Sequence, residues 1–277
     1  TPDPLWSRGL GDVYKRQAFT RYKFGDFKPY IYKTDNYGKT WRKLVRGIPG
    51  DAYVRVVRED PVKKGLLYAG TELGLFVSFN DGKEWQPFQL NLPIVPITDL
   101  TFRNNDLVAS TLGRAFWILD DLSPLQNLSA NLAKKEVHLF PTKESLLISY
   151  GGRSDGSSAG KNPPSGVVFH YLLGAEIDSI SFLRLDIMNS RGDTIRSFTN
   201  KAGAPIQTRW GMQRAPSLST KKGMHRFIWN MRVADLTKVP KLFTSGSPAG
   251  YKVGPGKYKA IMSLEKKSSE SSFEIAP

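Results

Sequence analysis

The chain has 277 residues, with 40 lysine and arginine side chains against 25 aspartate and glutamate side chains, a net charge of +15 and no cysteine. The lack of cysteine excludes disulfides, thiolate metal sites and thiol catalysis. The three histidines, His138, His170 and His225, are far apart in sequence and form no metal-binding motif, so no metal or other cofactor is expected. No apolar run approaches the roughly 18 residues that span a bilayer. With 40% apolar residues, this length predicts one or two domains with a real core.

The first 17 residues have the marks of a foreign segment. Residues 7–17 back-translate without a mismatch to a DNA sequence that resembles a sequencing-library transposon adapter. We therefore expect residues 1–17 to be an adapter-like tail that does not pack, with the protein's own sequence starting near Ala18. The natural N-terminus would then be missing, so the lack of a signal peptide gives no information on localisation.

A repeat with a displacement of 44 residues follows this tail. A hydroxyl side chain, an asparagine, a glycine and a tryptophan recur in the same order in both copies. The first copy comprises Thr34, Asn36, Gly38, Thr40 and Trp41, and the second comprises Ser78, Asn80, Gly82 and Trp85. In a third, decayed copy, residues 109–113 match residues 69–74, but the turn itself is lost.

Short β-rich runs lie between these copies, at residues 53–57, 66–69, 75–79, 97–102, 107–110 and 115–119. Turn-forming residues separate the runs. About four short strands per period of roughly 40 to 50 residues is the arrangement of a propeller blade. The sequence therefore predicts an all-β fold in which residues 18–130 form a partial β-propeller of about two to three blades.

The repeated pattern resembles the Asp box, or BNR repeat, of sialidase-like and sortilin-like propellers. More broadly, residues 27–128 resemble the last blades of a bacterial sortilin-like family that is often labelled glycosyl hydrolase. The resemblance implies a structural role for the nine repeat residues, because in that family the boxes lie away from the ligand-binding face. Asn36 and Asn80 stand where aspartate is commonest, and their amide oxygens can still accept loop N–H groups. We expect Trp41 and Trp85 to hold equivalent places, each in the strand after its turn and buried against a neighbouring sheet.

Carboxylate pairs that could serve a glycosidase are few. The adjacent pairs are Glu59 with Asp60 and Asp120 with Asp121. Neighbours on a strand point to opposite faces, and neighbours in a loop are usually solvated or capping. The sequence therefore favours no catalytic residue from these pairs.

Arginine and serine candidates are equally incomplete. A sialidase would need an arginine cluster with a Tyr/Glu pair drawn from several blades, and Arg55, Arg58 and Arg114 could supply part of it. Arg55 and Arg58 are three residues apart, so in a regular strand they would face opposite sides. Ser110 and Ser123 lie outside any recognisable nucleophile motif.

The second half of the chain predicts a different domain. Residues 131–165 are rich in glycine, serine and proline and predict a flexible linker. Strands are expected at 167–173, 180–188, 194–199, 225–233, 258–264 and 272–275, with a long loop over 199–222 in which Trp210 is an anchor. This pattern predicts an immunoglobulin-like β-sandwich over residues 166–277. Residues 223–232 and 254–264 also resemble the C-terminal Ig-like module of the same family.

The positive charge is concentrated in this second half. Residues 18–130 carry 15 basic and 12 acidic side chains, whereas residues 131–277 carry 22 and 11. Such a surface could dock on an acidic polymer or a membrane surface. The basic clusters are short and no nucleic-acid motif accompanies them, so a soluble basic surface is favoured and no nucleic-acid partner is expected.

Two classes of function remain open. The first is a non-catalytic binding or scaffold fragment of a secreted, periplasmic or cell-surface bacterial protein, with a protein or glycan ligand. The second is the C-terminal part of a BNR-type glycoside hydrolase whose active-site blades are missing here. The remaining propeller blades of the parent chain are then an expected partner of this fragment. A carboxylate pair on inner strands of earlier blades would favour the enzyme.

Overall fold

The computed structural model describes residues 15–129, 131–147, 164–178, 180–201, 206–208, 211–213, 216–235 and 249–277. The chain divides into two compact units, one ending at Leu122 and the other beginning at Ser123. Most of the predicted tail, the Gly/Ser-rich part of the predicted linker and Trp210 lie outside the described residues.

The described residues of the first unit form three antiparallel sheets whose strands follow one another in chain order. The first sheet comprises β1 (Lys15–Ala18), β2 (Ile31–Thr34) and β3 (Arg42–Lys43), with a short 3-10 helix, Tyr22–Phe24, between β1 and β2. The second comprises β4 (Val54–Glu59), β5 (Leu67–Thr71), β6 (Gly74–Ser78) and β7 (Gln86–Pro87). The third comprises β8 (Ile97–Arg103), β9 (Asp106–Thr111) and β10 (Phe116–Leu119). Antiparallel meanders of about four strands are the units from which propellers are built.

The two repeat copies relate these sheets to one another. Each copy forms the turn before the last strand of its sheet, between β2 and β3 and between β6 and β7. By this equivalence β1 corresponds to β5, and the first sheet lacks a described counterpart of β4. Strands β8, β9 and β10 follow the order of β4, β5 and β6, so β10 corresponds to β6.

One part of the core of the first unit lies between the first two sheets. Buried side chains from both sheets and from the connection between them form one cluster: Ile31, Ile48, Ala52, Val54, Leu67, Ala69, Phe76 and Trp85. Gly47 lets the connecting segment approach Trp85, because a Cβ at this position would lie 2.0 Å from the Trp85 carbonyl oxygen. Its φ of +95° also favours glycine.

The expectation that residues 1–17 do not pack is wrong for Lys15, Arg16 and Gln17. These residues belong to β1, which pairs antiparallel with β2. The buried Arg16 guanidinium donates to Glu59, at 2.6 Å, and to Asp81. Strand pairing and two carboxylates therefore hold this segment on the unit, whatever its origin.

The second unit is a sandwich of two sheets around one core. It opens with α1 (Ser123–Asn127) and a 3-10 helix, Leu132–Lys134. The strands of the two sheets are β11 (Val137–Leu139), β12 (Ser145–Leu146), β13 (Val167–Leu173), β14 (Leu183–Met188), β15 (Thr194–Thr199), β18 (Gly223–Trp229), β19 (Gly256–Leu264) and β20 (Lys267–Ala276). One sheet has the order β11-β13-β18 and the other has the order β12-β20-β19-β14-β15. A separate hairpin joins β16 (Ile206–Thr208) and β17 (Gly211–Gln213).

Alternation along the strands places one face of each sheet in the sandwich core. Leu183, Leu185 and Ile187 of β14 are buried, and the residues between them are partly exposed. The fully buried Trp229 donates its indole N–H to the Arg232 carbonyl at 2.8 Å, which satisfies the polar atom inside the core. The predicted all-β class, a partial propeller followed by a β-sandwich, is confirmed.

The predicted flexible linker is wrong over residues 131–147. β11 pairs with β13 within one sheet, and β12 pairs in parallel with β20 in the other. Leu139 and Phe140 are buried, because this segment covers the edge of the sandwich core. Val137, Leu139 and Phe140 are the apolar residues of this segment that predict a strand, although the composition of the whole region predicts a linker.

Candidate functional site

The two repeated turns share one hydrogen-bond pattern. In the first, Thr34 Oγ1 accepts the Gly38 N–H at 2.9 Å and Asn36 Oδ1 accepts the Thr40 N–H at 2.9 Å. In the second, Ser78 Oγ accepts the Gly82 N–H at 3.0 Å, and Asn80 Oδ1 accepts the N–H of residue 84 at 2.9 Å. Both turns thus use the hydroxyl and amide oxygens to satisfy their own backbone.

The two tryptophans differ in burial. Trp85 is only 2% exposed and donates its indole N–H to the Leu44 carbonyl, at 3.0 Å, next to the first sheet. Trp41 is 38% exposed and donates to the carbonyl of Gly38 in its own turn. The expected burial is therefore wrong for Trp41, because its indole bonds locally and not to a neighbouring sheet. Each tryptophan also precedes its short strand instead of lying in it.

The second repeated turn and Glu72 lie at opposite ends of β6. The turn with Asn80 follows the end of β6, whereas Glu72 precedes the start of the same five-residue strand. At about 3.3 Å per residue, β6 separates these two ends by roughly 15 Å. The hydroxyl and amide oxygens of the repeated turns are used within the turns themselves, so these residues support the sheet.

The adjacent carboxylates do not form a paired site. Glu59 accepts from Arg16 and from the Gly65 N–H, at 2.8 Å. The neighbouring Asp60 is buried and its Oδ1 accepts the backbone N–H groups of residues 62 and 63, so it caps a turn. Asp121 has a left-handed backbone and donates its own N–H to Asp106 Oδ1 at 2.8 Å.

The other residues singled out from the sequence are dispersed. Ser110 shares a hydrogen bond of 2.7 Å with Thr98, and Ser123 begins α1. The Arg114 carbonyl accepts the indole N–H of Trp117 at 3.0 Å, and its own side chain is exposed.

A cleft of about 540 Å³ runs along β4 in the first unit. It is lined by β1, by residues 55–59 of β4 and by Thr98 and Asp99 of β8. Arg55 and Arg58 both line it, contrary to the expectation for a regular strand. The pairing of β4 with β5 shifts register between Val54 and Val56, so a bulge at Arg55 breaks the alternation.

Arg58 is committed to the neighbouring sheet. Its Nη2 donates to Asp99 Oδ1 at 2.8 Å and its Nε donates to the Leu100 carbonyl at 3.0 Å. Arg58 thus ties β4 to β8 at the wall of the cleft.

Arg55 forms a compact polar cluster at the start of β4. Its Nε and Nη2 both donate to Glu72 Oε2, at 3.0 and 2.7 Å, and Nη2 also donates to the Tyr53 hydroxyl at 2.8 Å. Burial disfavours the charged guanidinium, but the hydrogen bonds to Glu72 outweigh it and raise the pKa of Arg55. Burial and Glu72 likewise raise the pKa of Tyr53. Arg55 is therefore cationic and Tyr53 protonated at neutral pH.

Aromatic rings surround this polar cluster. Tyr22 stacks on Tyr53 with ring centroids 5.1 Å apart and planes 17° from parallel, and Phe27 lies 6.2 Å from Tyr53. The Arg55 guanidinium lies 5.1 Å from the Tyr53 ring centroid. Tyr22 and Phe27 are exposed, as is Phe24 in the same helical turn as Tyr22. We call Tyr22, Phe27 and Tyr53, with Arg55 and Glu72, the aromatic cluster.

Sequence reasoning singled out Arg55 but missed the rest of the aromatic cluster. The available signal was the density of aromatic residues in segment 19–32, where they alternate with basic residues. Tyr53 and Glu72 are adjacent only through the pairing of β4 with β5.

The described part of the second unit offers no comparable arrangement. A shallow depression of about 820 Å³ lies beside Met188, Tyr258 and Phe273, and its Lys259 pairs with Glu270 at 2.6 Å. Across the described residues, no group of three or more histidine, aspartate or glutamate side chains could hold a metal ion. No helix in the described ranges has the length and apolar character needed to cross a membrane.

The comparisons with known proteins do not show a family for this chain. No family model matches the chain, and no curated protein matches it. Among solved structures, the chain is similar to an ancestral GH74 enzyme, with 12% sequence identity and a TM-score of 0.25. That similarity covers 70% of this chain but 26% of the other, so the chain spans about a quarter of that structure's length.

Proposed function

We propose that this chain is a non-catalytic binding fragment of a secreted or cell-surface, sortilin-like BNR-repeat protein, and that its ligand is a glycan. On this proposal the first unit is the ligand-binding part of an Asp-box propeller, and the second unit is an immunoglobulin-like module. The observation that carries the proposal is the aromatic cluster, in which exposed rings flank a fixed, charged hydrogen-bonding pair.

The chemistry of the aromatic cluster suits a sugar ring. The C–H face of a pyranose packs on an aromatic ring, and its hydroxyls can bond both to a guanidinium and to a carboxylate. Arg55 and Glu72 are held by each other, so they present donors and an acceptor without a large loss of side-chain entropy on binding. Because the pair contributes one positive and one negative charge, a neutral glycan fits it better than an acidic one.

A titration of the full chain with oligosaccharides tests this proposal. The panel should contain neutral β-linked gluco- and manno-oligosaccharides, with sialylated and uronic acid oligosaccharides as the acidic arm. Tyr22→Ala and Glu72→Gln should each weaken binding by about tenfold or more, which corresponds to about 1.4 kcal/mol. Tyr37→Ala is the matched control, because Tyr37 is also an exposed tyrosine but lies in the first repeated turn.

Three results would contradict the proposal. A chain that binds none of these glycans, or that loses binding equally with Tyr37→Ala, does not use the aromatic cluster as a glycan site. Preferential binding of the acidic arm would reject the neutral ligand class.

The alternative is that the parent is a BNR-type glycoside hydrolase. The observation that favours it is that two carboxylates, Glu59 and Asp99, line one cleft. Each of them, however, is held by an arginine, at 2.6 Å from Arg16 and 2.8 Å from Arg58. Hydrolysis of a glycoside reporter by this chain, abolished by Glu59→Gln or Asp99→Asn, would favour the enzyme over the binding fragment.

A further inference from the structure

The second sheet of the first unit is covered on both of its faces by other sheets of the chain. Ala69 and Phe76 point towards the first sheet and lie in the buried cluster that also contains Ile31. The alternate residues of the same strands point to the opposite face, where the rings of Tyr68 and Phe102 lie 5.8 Å apart and join the second sheet to the third. One face of a sheet is therefore covered by the preceding sheet and the other face by the following sheet.

The third sheet exposes the face that a following sheet would cover. In the second sheet this face contains Leu75 and Val77 of β6, which are 5% and 0% exposed. The displacement of 40 residues between β5 and β9, together with the strand registers, makes Phe116 the counterpart of Leu75 and Ile118 the counterpart of Val77. Phe116 is 75% exposed and Ile118 is 60% exposed. With the partly exposed Val108 beside them on β9, they form what we call the third-sheet face.

The first sheet exposes the face that a preceding sheet would cover. The displacement of 44 residues makes Trp41 the counterpart of Trp85, and the two side chains are 38% and 2% exposed. By the same displacement, Tyr32 holds the place of a buried phenylalanine in β6 but is itself partly exposed. The exposed Phe19 stacks on Tyr30 and Tyr32, with ring centroids 5.2 and 5.4 Å apart. These four aromatic residues form what we call the first-sheet face.

We propose that two copies of this chain pack head to tail, so that the first-sheet face of each copy covers the third-sheet face of the other. The chain carries both halves of one contact, because one exposed face lacks a preceding sheet and the other lacks a following sheet. A two-fold axis along the propeller axis forms this contact twice, and contacts between unlike faces close into a ring when the rotation allows it. Two copies of three sheets supply six sheets, within the range of about four to eight blades for closed propellers, whereas three copies would exceed it.

The two exposed faces also match each other in polarity. Where the first sheet packs on the second, the Lys33 ammonium meets the Asp81 carboxylate at 2.6 Å. In the proposed contact Ile118 holds the place of Lys33, and Tyr37 holds the place of Asp81. A charged pair in the contact within the chain is thus replaced by two exposed side chains that can pack through apolar atoms, and neither leaves a buried charge unpaired. The contact uses no residue of the aromatic cluster, so it does not depend on the proposed glycan site.

Sedimentation of the full chain tests the partner. We expect a discrete, reversible dimer at protein concentrations up to about 100 µM, and Ile118→Lys should weaken it by at least about tenfold, because each dimer covers two of these side chains. Ile94→Lys is the matched control, since Ile94 is a comparably exposed isoleucine in the connection between β7 and β8, and it should leave the dimer unchanged. Thermal melts of each variant verify that it is folded.

Cross-linking tests which faces meet, because the chain has no cysteine of its own. Phe116→Cys marks the third-sheet face, and Lys43→Cys marks the first-sheet face because Lys43 opposes Tyr32 in the pairing of β2 with β3. An equimolar mixture of the two variants should cross-link through a short bis-maleimide, whereas each variant alone should not, since like faces do not meet. Ile94→Cys mixed with either variant is the control and should give only background.

Four results would overturn the proposal. They are a monomeric wild-type chain throughout the concentration range, open-ended species larger than a dimer, equal effects of Ile118→Lys and Ile94→Lys, and cross-links that form as readily within one variant as between the two. A monomer throughout would leave both faces to other blades of the parent chain. A dimer that cross-links only between unlike variants supports both the partner and the head-to-tail arrangement.

Discussion

Replacing Trp85 with alanine should destabilise the first unit far more than the same replacement at Trp41, although the two residues hold the same place in the repeat. Burying an indole removes roughly 200 Å² from water, worth about 5 kcal/mol at about 25 cal/mol per Å². Trp85→Ala should also leave the Leu44 carbonyl without its indole donor. Such large-to-small changes lower the free energy of unfolding by about 3–5 kcal/mol, and we expect a decrease of about 4 kcal/mol here.

The replacement Trp41→Ala should lower the free energy of unfolding by about 1–2 kcal/mol. More than a third of this side chain already contacts water, and solvent fills the space that its removal leaves, so the term for an empty cavity is absent. Its indole bonds within its own turn, so no contact with another sheet is lost.

Scanning calorimetry of the full-length variants measures the difference. For a unit of this size the midpoint should fall by about 15 °C or more for Trp85→Ala and by about 5–8 °C for Trp41→Ala. Trp85→Phe, which keeps a ring but not the indole N–H, should lie between wild type and Trp85→Ala. Equal losses at the two positions would refute the reasoning, because they would mean that both tryptophans are packed alike.

Three further predictions follow from the fold. Burial raises the pKa of Asp81, but Lys33 and Arg16 outweigh this effect and lower it. The stabilising contribution of the Asp81 carboxylate is therefore present above about pH 4 and should be lost as pH falls through the lowered pKa. Denaturation measured from pH 7 to pH 2 should show this loss in wild type and not in Asp81→Asn. Gly47→Ala should destabilise the first unit by at least about 2 kcal/mol in chemical denaturation, because its Cβ would overlap Trp85; an unchanged midpoint would contradict the close approach. Residues 123–277 expressed alone should give a cooperatively folded monomer in size exclusion and thermal melts, whereas residues 165–277, which lack β11, should melt earlier or not fold.

The sequence was most informative where the pattern is local and periodic. The 44-residue displacement predicted two equivalent turns, and the alternation over residues 181–188 predicted the buried face of β14. These signals depend on residues close together in the chain.

The sequence was least informative where a residue's environment comes from distant segments. Trp41 and Trp85 occur in the same motif, but their burial depends on what packs over each turn. The bulge that turns Arg55 into the cleft arises from the pairing of β4 with β5 and has no glycine to mark it. Likewise, Val137 and Leu139 lie in a region whose composition predicts a linker, and only their contact with the sandwich core shows them to be part of it.

The central claim, a glycan site at the aromatic cluster, is tested most directly by mapping a bound oligosaccharide on the full chain by NMR chemical-shift perturbation. With a neutral β-linked oligosaccharide at saturation, the largest shifts should fall on Tyr22, Phe27, Arg55 and Glu72. The repeated turns should be unaffected. Shifts concentrated in those turns or in the second unit, or no shifts with any glycan of the panel, would contradict the account.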